Sequence, residues 1–147
     1  MTVVFASILP CLFPGAASAE VIATDAWISA APPVVRVNAG YLNLQNHSDH
    51  SLNLVGAESP RFARIEIHRS EMHNGINSMR REASLALGPG AVLSFAPGEL
   101  HLMLFEPDPA PQPGEVIPLT LIFADGLRVP VDAEVRAAQP GAGHHNH

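Results

Sequence analysis

Leu100-His101-Leu102-Met103-Leu104-Phe105 alternates without interruption, with leucine at every second position and His101, Met103 and Phe105 between. Successive side chains of a β-strand point to opposite faces, so the leucines are read as core and the other three as one outer face. Ile65-Glu66-Ile67-His68 repeats the pattern, with Ile65 and Ile67 inward and Glu66 and His68 outward. Short β-rich runs are expected at residues 26–30, 37–45, 51–56, 64–69, 79–81, 92–95, 100–105, 116–123 and 127–133. Turn signals at 46–49, Asn74-Gly75, Pro89-Gly90, Pro97-Gly98 and Asp125-Gly126 separate them, and 107–114 reads as a loop. No segment sustains a helical apolar period, which predicts one all-β domain, a sandwich or barrel.

The 147 residues begin with an apolar stretch, 3–13, a Pro14-Gly15 break and Ala17-Ser18-Ala19 before Glu20. Residues 1–19 therefore read as a signal peptide cleaved after Ala19, although no Lys or Arg precedes the apolar stretch and Met1 is not fixed as the true start. Pro10 before Cys11 does not fit the small-residue position of a lipoprotein signal, so no acylation is expected. Cys11 is the one cysteine. The exported domain, residues 20–135, then has no disulfide, no thiolate-ligated zinc and neither a blue-copper nor a thiolate-bridged binuclear copper centre. No other apolar run approaches the roughly 18 residues of a membrane span, so a soluble product is expected after cleavage. A net charge of -6, with no lysine and eight arginines, argues against nucleic-acid binding. Residues 136–147, which end in His144, His145, Asn146 and His147, read as a disordered tail.

Against this background His68, Met79, His101 and Met103 stand out. Of four methionines one is Met1, and the other three, Met72, Met79 and Met103, all fall in the segment that carries these histidines. Leu, Val, Ile and Ala fill the core positions, which leaves methionine little work as a gap-filler. Two imidazoles and two thioethers form a neutral soft set that suits Cu(I), whereas a thioether is a weak ligand for zinc, iron, magnesium or calcium. A lone methionine on a strand is usually packing and a lone histidine usually surface; here the spacing of four carries the reading.

Ten residues separate His68 from Met79, twenty-one separate Met79 from His101, and Leu102 alone separates His101 from Met103. With Ile65-Glu66-Ile67-His68, Asn74-Gly75, Met79-Arg80, Pro97-Gly98, His101-Leu102-Met103-Leu104 and Gly40-Tyr41-Leu42 upstream, the chain resembles the PCu(A)C family of periplasmic copper chaperones over residues 26–135. The resemblance implies a single cupredoxin-like, immunoglobulin-like β-sandwich in the periplasm. It would hold one Cu(I) on His68, Met79, His101 and Met103 and pass it to the binuclear centre of the copper-bearing subunit of cytochrome c oxidase, or to another copper chaperone. Met72 matches a methionine that many members carry after the first histidine, and is read as an auxiliary contact; His73, beside it, is read as auxiliary or as a solvated turn residue. Glu66 is read as a partner of the His68 imidazole.

The tail histidines His144, His145 and His147 offer imidazoles for Cu(II), or form a weakly binding end. His47 and His50 are read as surface residues. Arg61, Arg64, Arg69, Arg80 and Arg81 suggest either a basic rim for an acidic partner or a solvated, protected sheet edge. No HExxH, GxSxG, phosphate-cradling loop or cysteine nucleophile argues for an enzyme, and a monomeric chaperone is expected. The alternatives are a periplasmic copper storage or tolerance protein, and a β-sandwich interaction module that binds no metal.

Overall fold

The computed structural model describes residues 19–138, all of it strand, turn and loop. Ten strands follow one another: β1 (Val21–Ser29), β2 (Val37–Asn46), β3 (Leu52–Glu58), β4 (Phe62–His73), β5 (Ile76–Glu82), β6 (Leu85–Leu87), β7 (Val92–Phe95), β8 (Leu100–Pro107), β9 (Val116–Phe123) and β10 (Arg128–Arg136). The ladder runs β4-β8-β2-β1-β10-β9-β3, and a contact of Ala57 on β3 with Ile65 on β4 brings its two ends together. All-β architecture is thus as the alternation predicts, realised as a sheet curled on itself between a sandwich and a barrel. Residues 1–18, within the expected signal peptide, and residues 139–147, with His144, His145 and His147 of the expected tail, lie outside the described residues.

Long strands serve two neighbours along one edge. β2 pairs with β8 through residues 37–40 and with β7 through residues 42–45, so β7 and β8 act as one strand interrupted by the Pro97-Gly98 excursion. β4 pairs with β8 on one edge, and with β3 and then β5 on the other. Where β4 faces the core it buries Ile65 and Ile67; beyond Ile67 the same face carries Arg69, Glu71 and His73. Apolar alternation stops there because the strand leaves the barrel and continues as a two-stranded ribbon with β5.

Asn74 and Gly75 close that ribbon with positive φ at both residues, 51° and 77°, as a two-residue I′-type turn requires. Glu82 on β5 accepts from Arg69 across the ribbon and from Arg80 on its own strand. The sequence reading placed only residues 79–81 in this strand, because a ribbon exposed on both faces has no apolar period to detect. It also missed the three-residue β6, which pairs with β3 through Leu52 and Leu87, and started β1 five residues late.

The core is the inward set of Leu42, Leu44, Leu54, Ile67, Leu102, Leu104, Leu121 and Phe123, each 2% exposed or less. Full burial of one such side chain contributes about 1.5–3 kcal/mol. Gly40 lies in this layer because β8 sits too close for a side chain: a Cβ there would come 3.0 Å from Leu104 Cδ1 and 3.4 Å from Leu102 Cβ. Gly40→Val is expected to push β8 outward and to destabilise the protein by about 1–3 kcal/mol. Urea unfolding checks this, the expected result being a lower midpoint at unchanged slope.

Candidate metal centre

The antiparallel register of β4 on β8 sets His68 directly opposite His101, and Glu66 opposite Met103. Directly paired residues share a face of the sheet, and so do residues two apart on one strand. Glu66, His68 and Ser70 on β4 and His101, Met103 and Phe105 on β8 therefore form one outward patch. On the other side of β4, Met79 pairs with Ser70 and Arg81 with His68, so Met79 joins the same face diagonally from His68. Met72, opposite Asn77, continues that face toward the ribbon tip. The topology thus brings all four spaced residues to one face of three neighbouring strands.

Their exposure is uneven. His101 is 6% exposed, a correction to its expected place at an open surface: it shares the outward face of β8, but it is buried beside the His68 ring and the Glu99 carbonyl. Met79 is 56% and Met72 73% exposed, because the ribbon extends past the barrel. Met103 and His68 are half-buried. The two imidazoles lie 6.0 Å apart, centroid to centroid, and tilted by 36°. With metal–nitrogen bonds of about 2 Å, one ion between them can reach both rings.

Each ring has one nitrogen engaged. Nε2 of His68 lies 2.8 Å from Glu66 Oε2, and Nδ1 of His101 lies 3.1 Å from the Glu99 carbonyl oxygen. That carbonyl is aimed by the loop that interrupts β7 and β8, and it also accepts the Ser70 amide. His68 Nδ1 is buried and has no hydrogen-bond partner. Buried polar atoms are rarely left so, and an imidazole nitrogen that no protein group satisfies, on the same strand face as two thioethers and a second imidazole, fits the role of a metal ligand. Burial holds the His101 imidazole below the ordinary histidine range, with the nearby His68 adding to the shift and the Glu99 carbonyl opposing it. The Glu66 carboxyl is held low first by its hydrogen bond to His68 and then by Arg64, against desolvation.

The arginine cluster is not a one-signed rim. Arg64 bonds Glu66, Arg69 bonds Glu82, Arg80 lies between Glu71 and Glu82, and Arg61 bonds Glu115. His73 is exposed beside Glu71, and His47 and His50 are exposed, in keeping with their reading as surface residues. Among the described residues one further group of metal-capable side chains comes together, Glu20, His50 and Asp125, all exposed to solvent. Their separation along the chain hid that cluster from sequence reading.

The LpqE-like family model, described as "Putative lipoprotein LpqE-like", matches residues 21–135. The chain is 29% identical over 124 residues to "Putative lipoprotein Lxx21020" of Leifsonia xyli subsp. xyli, which covers 84% of this chain and 74% of that protein. It is 30% identical over 104 residues to the uncharacterized protein RP573 of Rickettsia prowazekii, 70% of this chain and 58% of that one. Among solved structures, the copper-bound PCuAC domain from PmoF2 is similar with a TM-score of 0.69 at 24% identity, over 82% of this chain and 96% of that domain. The solution structure of CuI-DR1885 from Deinococcus radiodurans is similar with a TM-score of 0.60 at 28% identity, over 83% of this chain and 82% of that one. The match along nearly the whole described domain, with the strand ladder and its outward His and Met set, makes this chain a member of the LpqE-like family built on the PCuAC fold.

Proposed function

We propose that this protein is an exported copper chaperone that carries one Cu(I) on His68, Met79, His101 and Met103. The observation that carries this reading is the shared face of the four side chains, with His68 Nδ1 buried and unpartnered beside them. The likeness to CuI-DR1885 supports the choice of ion. Copper is cargo here. Two imidazole nitrogens and two thioethers are neutral and soft, so they hold Cu(I) without the harder donors that other abundant ions prefer. Met79 on the exposed ribbon is the donor a partner reaches first, and His101 the one released last, so exchange proceeds from the open side inward.

The acceptor that the family resemblance implies is the binuclear copper centre of cytochrome c oxidase, in the periplasm, and we carry that destination as part of the proposal. The same resemblance puts Met72 near the cargo as an auxiliary donor, and the ribbon gives it the right face. Export with cleavage after Ala19, and Cu(II) capture by His144, His145 and His147, complete the reading. Oxidising Met79 or Met103 to the sulfoxide replaces a soft donor with a hard one and disables the site.

Titration of Cu(I) against a competing chelator tests the assignment. The wild-type protein is expected to take one tight equivalent, and the Met79→Ala plus Met103→Ala variant to bind at least about 100-fold more weakly, on the order of 3 kcal/mol. Unchanged tight binding in that variant rejects the ligand set, and uptake of several ions favours storage over delivery.

Acid acts through His101 in a defined direction. Its lowered native pKa means that, between that value and the unfolded value of about 6.5, the unfolded chain binds more protons. Stability therefore rises with pH through this window and is flat above it. Metal-free protein is expected to lose thermal stability as pH falls below about 6.5, and His101→Leu to lose less over the same interval, as melting curves would record. Ligand histidines must be unprotonated, and burial lets His101 keep its copper-ready form to a lower pH than a free imidazole.

A further inference from the structure

We propose that Glu66 is a positioning residue that holds His68 as its Nε2–H tautomer, so that the cargo is bound by Nδ1 of His68 but by Nε2 of His101. The inference rests on the copper reading above and goes beyond it, because side-chain identity alone leaves four combinations of donor nitrogens open.

The geometry of the two rings selects one of them. Glu66 Oε2 lies 2.8 Å from His68 Nε2, and an ionised carboxylate can only accept, so that nitrogen carries the proton and its lone pair is lost to a metal. The remaining nitrogen, Nδ1, is the buried atom without a partner. On His101 the roles reverse: the Glu99 carbonyl, also an acceptor only, lies 3.1 Å from Nδ1, which must donate and leaves Nε2 with the free lone pair. Metal-bound histidines commonly donate their second ring N–H to a carboxylate or backbone carbonyl, and here one of each is in place.

Glu66 is itself held. Its Oε1 accepts from Arg64 Nε at 2.9 Å, Arg81 Nε lies 4.0 Å from the same oxygen, and the Arg64 guanidinium stacks 3.9 Å above the Phe105 ring. Oε2 is thereby left to the imidazole. Glu66 also sits opposite Met103, so the carboxylate that fixes the ring lies on the donor face itself. His68 and His101 face each other across one ladder, and presenting a different nitrogen from each lets a single ion fit between rings rooted in adjacent strands.

The test is long-range 1H–15N correlation of the histidine rings in the 15N-labelled full chain, metal-free and Cu(I)-loaded, for wild type, Glu66→Ala and Glu66→Gln. The expected wild-type spectra have His68 as the Nε2–H tautomer and His101 as Nδ1–H, with Cu(I) shifting Nδ1 of His68 and Nε2 of His101. Glu66→Ala should mix the His68 tautomers and weaken Cu(I) binding about 10- to 100-fold, whereas Glu66→Gln, which keeps a carbonyl acceptor, should recover most of both. Backbone amide spectra matching wild type establish that the variants fold. An Nδ1–H tautomer for His68, a tautomer indifferent to Glu66→Ala, or Cu(I) on Nε2 of His68 overturns the proposal. Wild-type protein with the expected tautomers but no bound Cu(I) rejects the copper reading, and the donor assignment with it.

Discussion

The β4–β8 ladder is the constraint on which the rest of the structure depends. Its register decides in one step which residues fill the barrel and which meet outside it: Ile65 with Leu104 and Ile67 with Leu102 inward, Glu66 with Met103 and His68 with His101 outward. A slip of one residue would send the leucines to solvent and the histidines into the core, so the burial energy of several large aliphatic side chains guards the geometry of the outer face. Packing and site are therefore not separate features of this fold. The apolar side of two strands holds the polar side in place.

Close packing around that ladder sets the site's depth. Gly40 lets β2 approach β8, and the excursion at Pro97-Gly98 breaks β7 from β8 at the point where a further strand residue would have continued the pairing. The loop so formed brings the Glu99 carbonyl to His101 and to the Ser70 amide, tying β8 to the start of the ribbon. One histidine is thus buried and fixed by backbone. The methionine on β5 is largely exposed, on an outer strand that pairs with β4 and is braced by a few ion pairs, each worth about 0–1 kcal/mol. A buried inner half and a more accessible outer half suit the proposed role of holding an ion and handing it on.

The charges around the site follow the same division of labour. Arginines that look like a cationic patch in the sequence alternate in space with glutamates, and the carboxylate nearest the donors, Glu66, is shared between a guanidinium and an imidazole. In the proposed site the soft donors, rather than a one-signed field, would select the ion.

Much of this was legible in the chain. Period-two alternation in 100–105 and 65–68 determined strands, their inward faces and the outward place of His68, His101 and Met103, because the pleat has a fixed period. Asn74-Gly75 and Asp125-Gly126 determined two hairpins, because few residues tolerate positive φ. What the sequence could not decide was which strands pair, and with what offset, since those depend on packing between segments far apart in the chain. Tertiary structure alone set His68 opposite His101 and joined the sheet's ends through β3 and β4. It also buried His101, set the arginines among glutamates, assigned Glu66 and the Glu99 carbonyl to different ring nitrogens, and left a buried nitrogen of His68 without a partner.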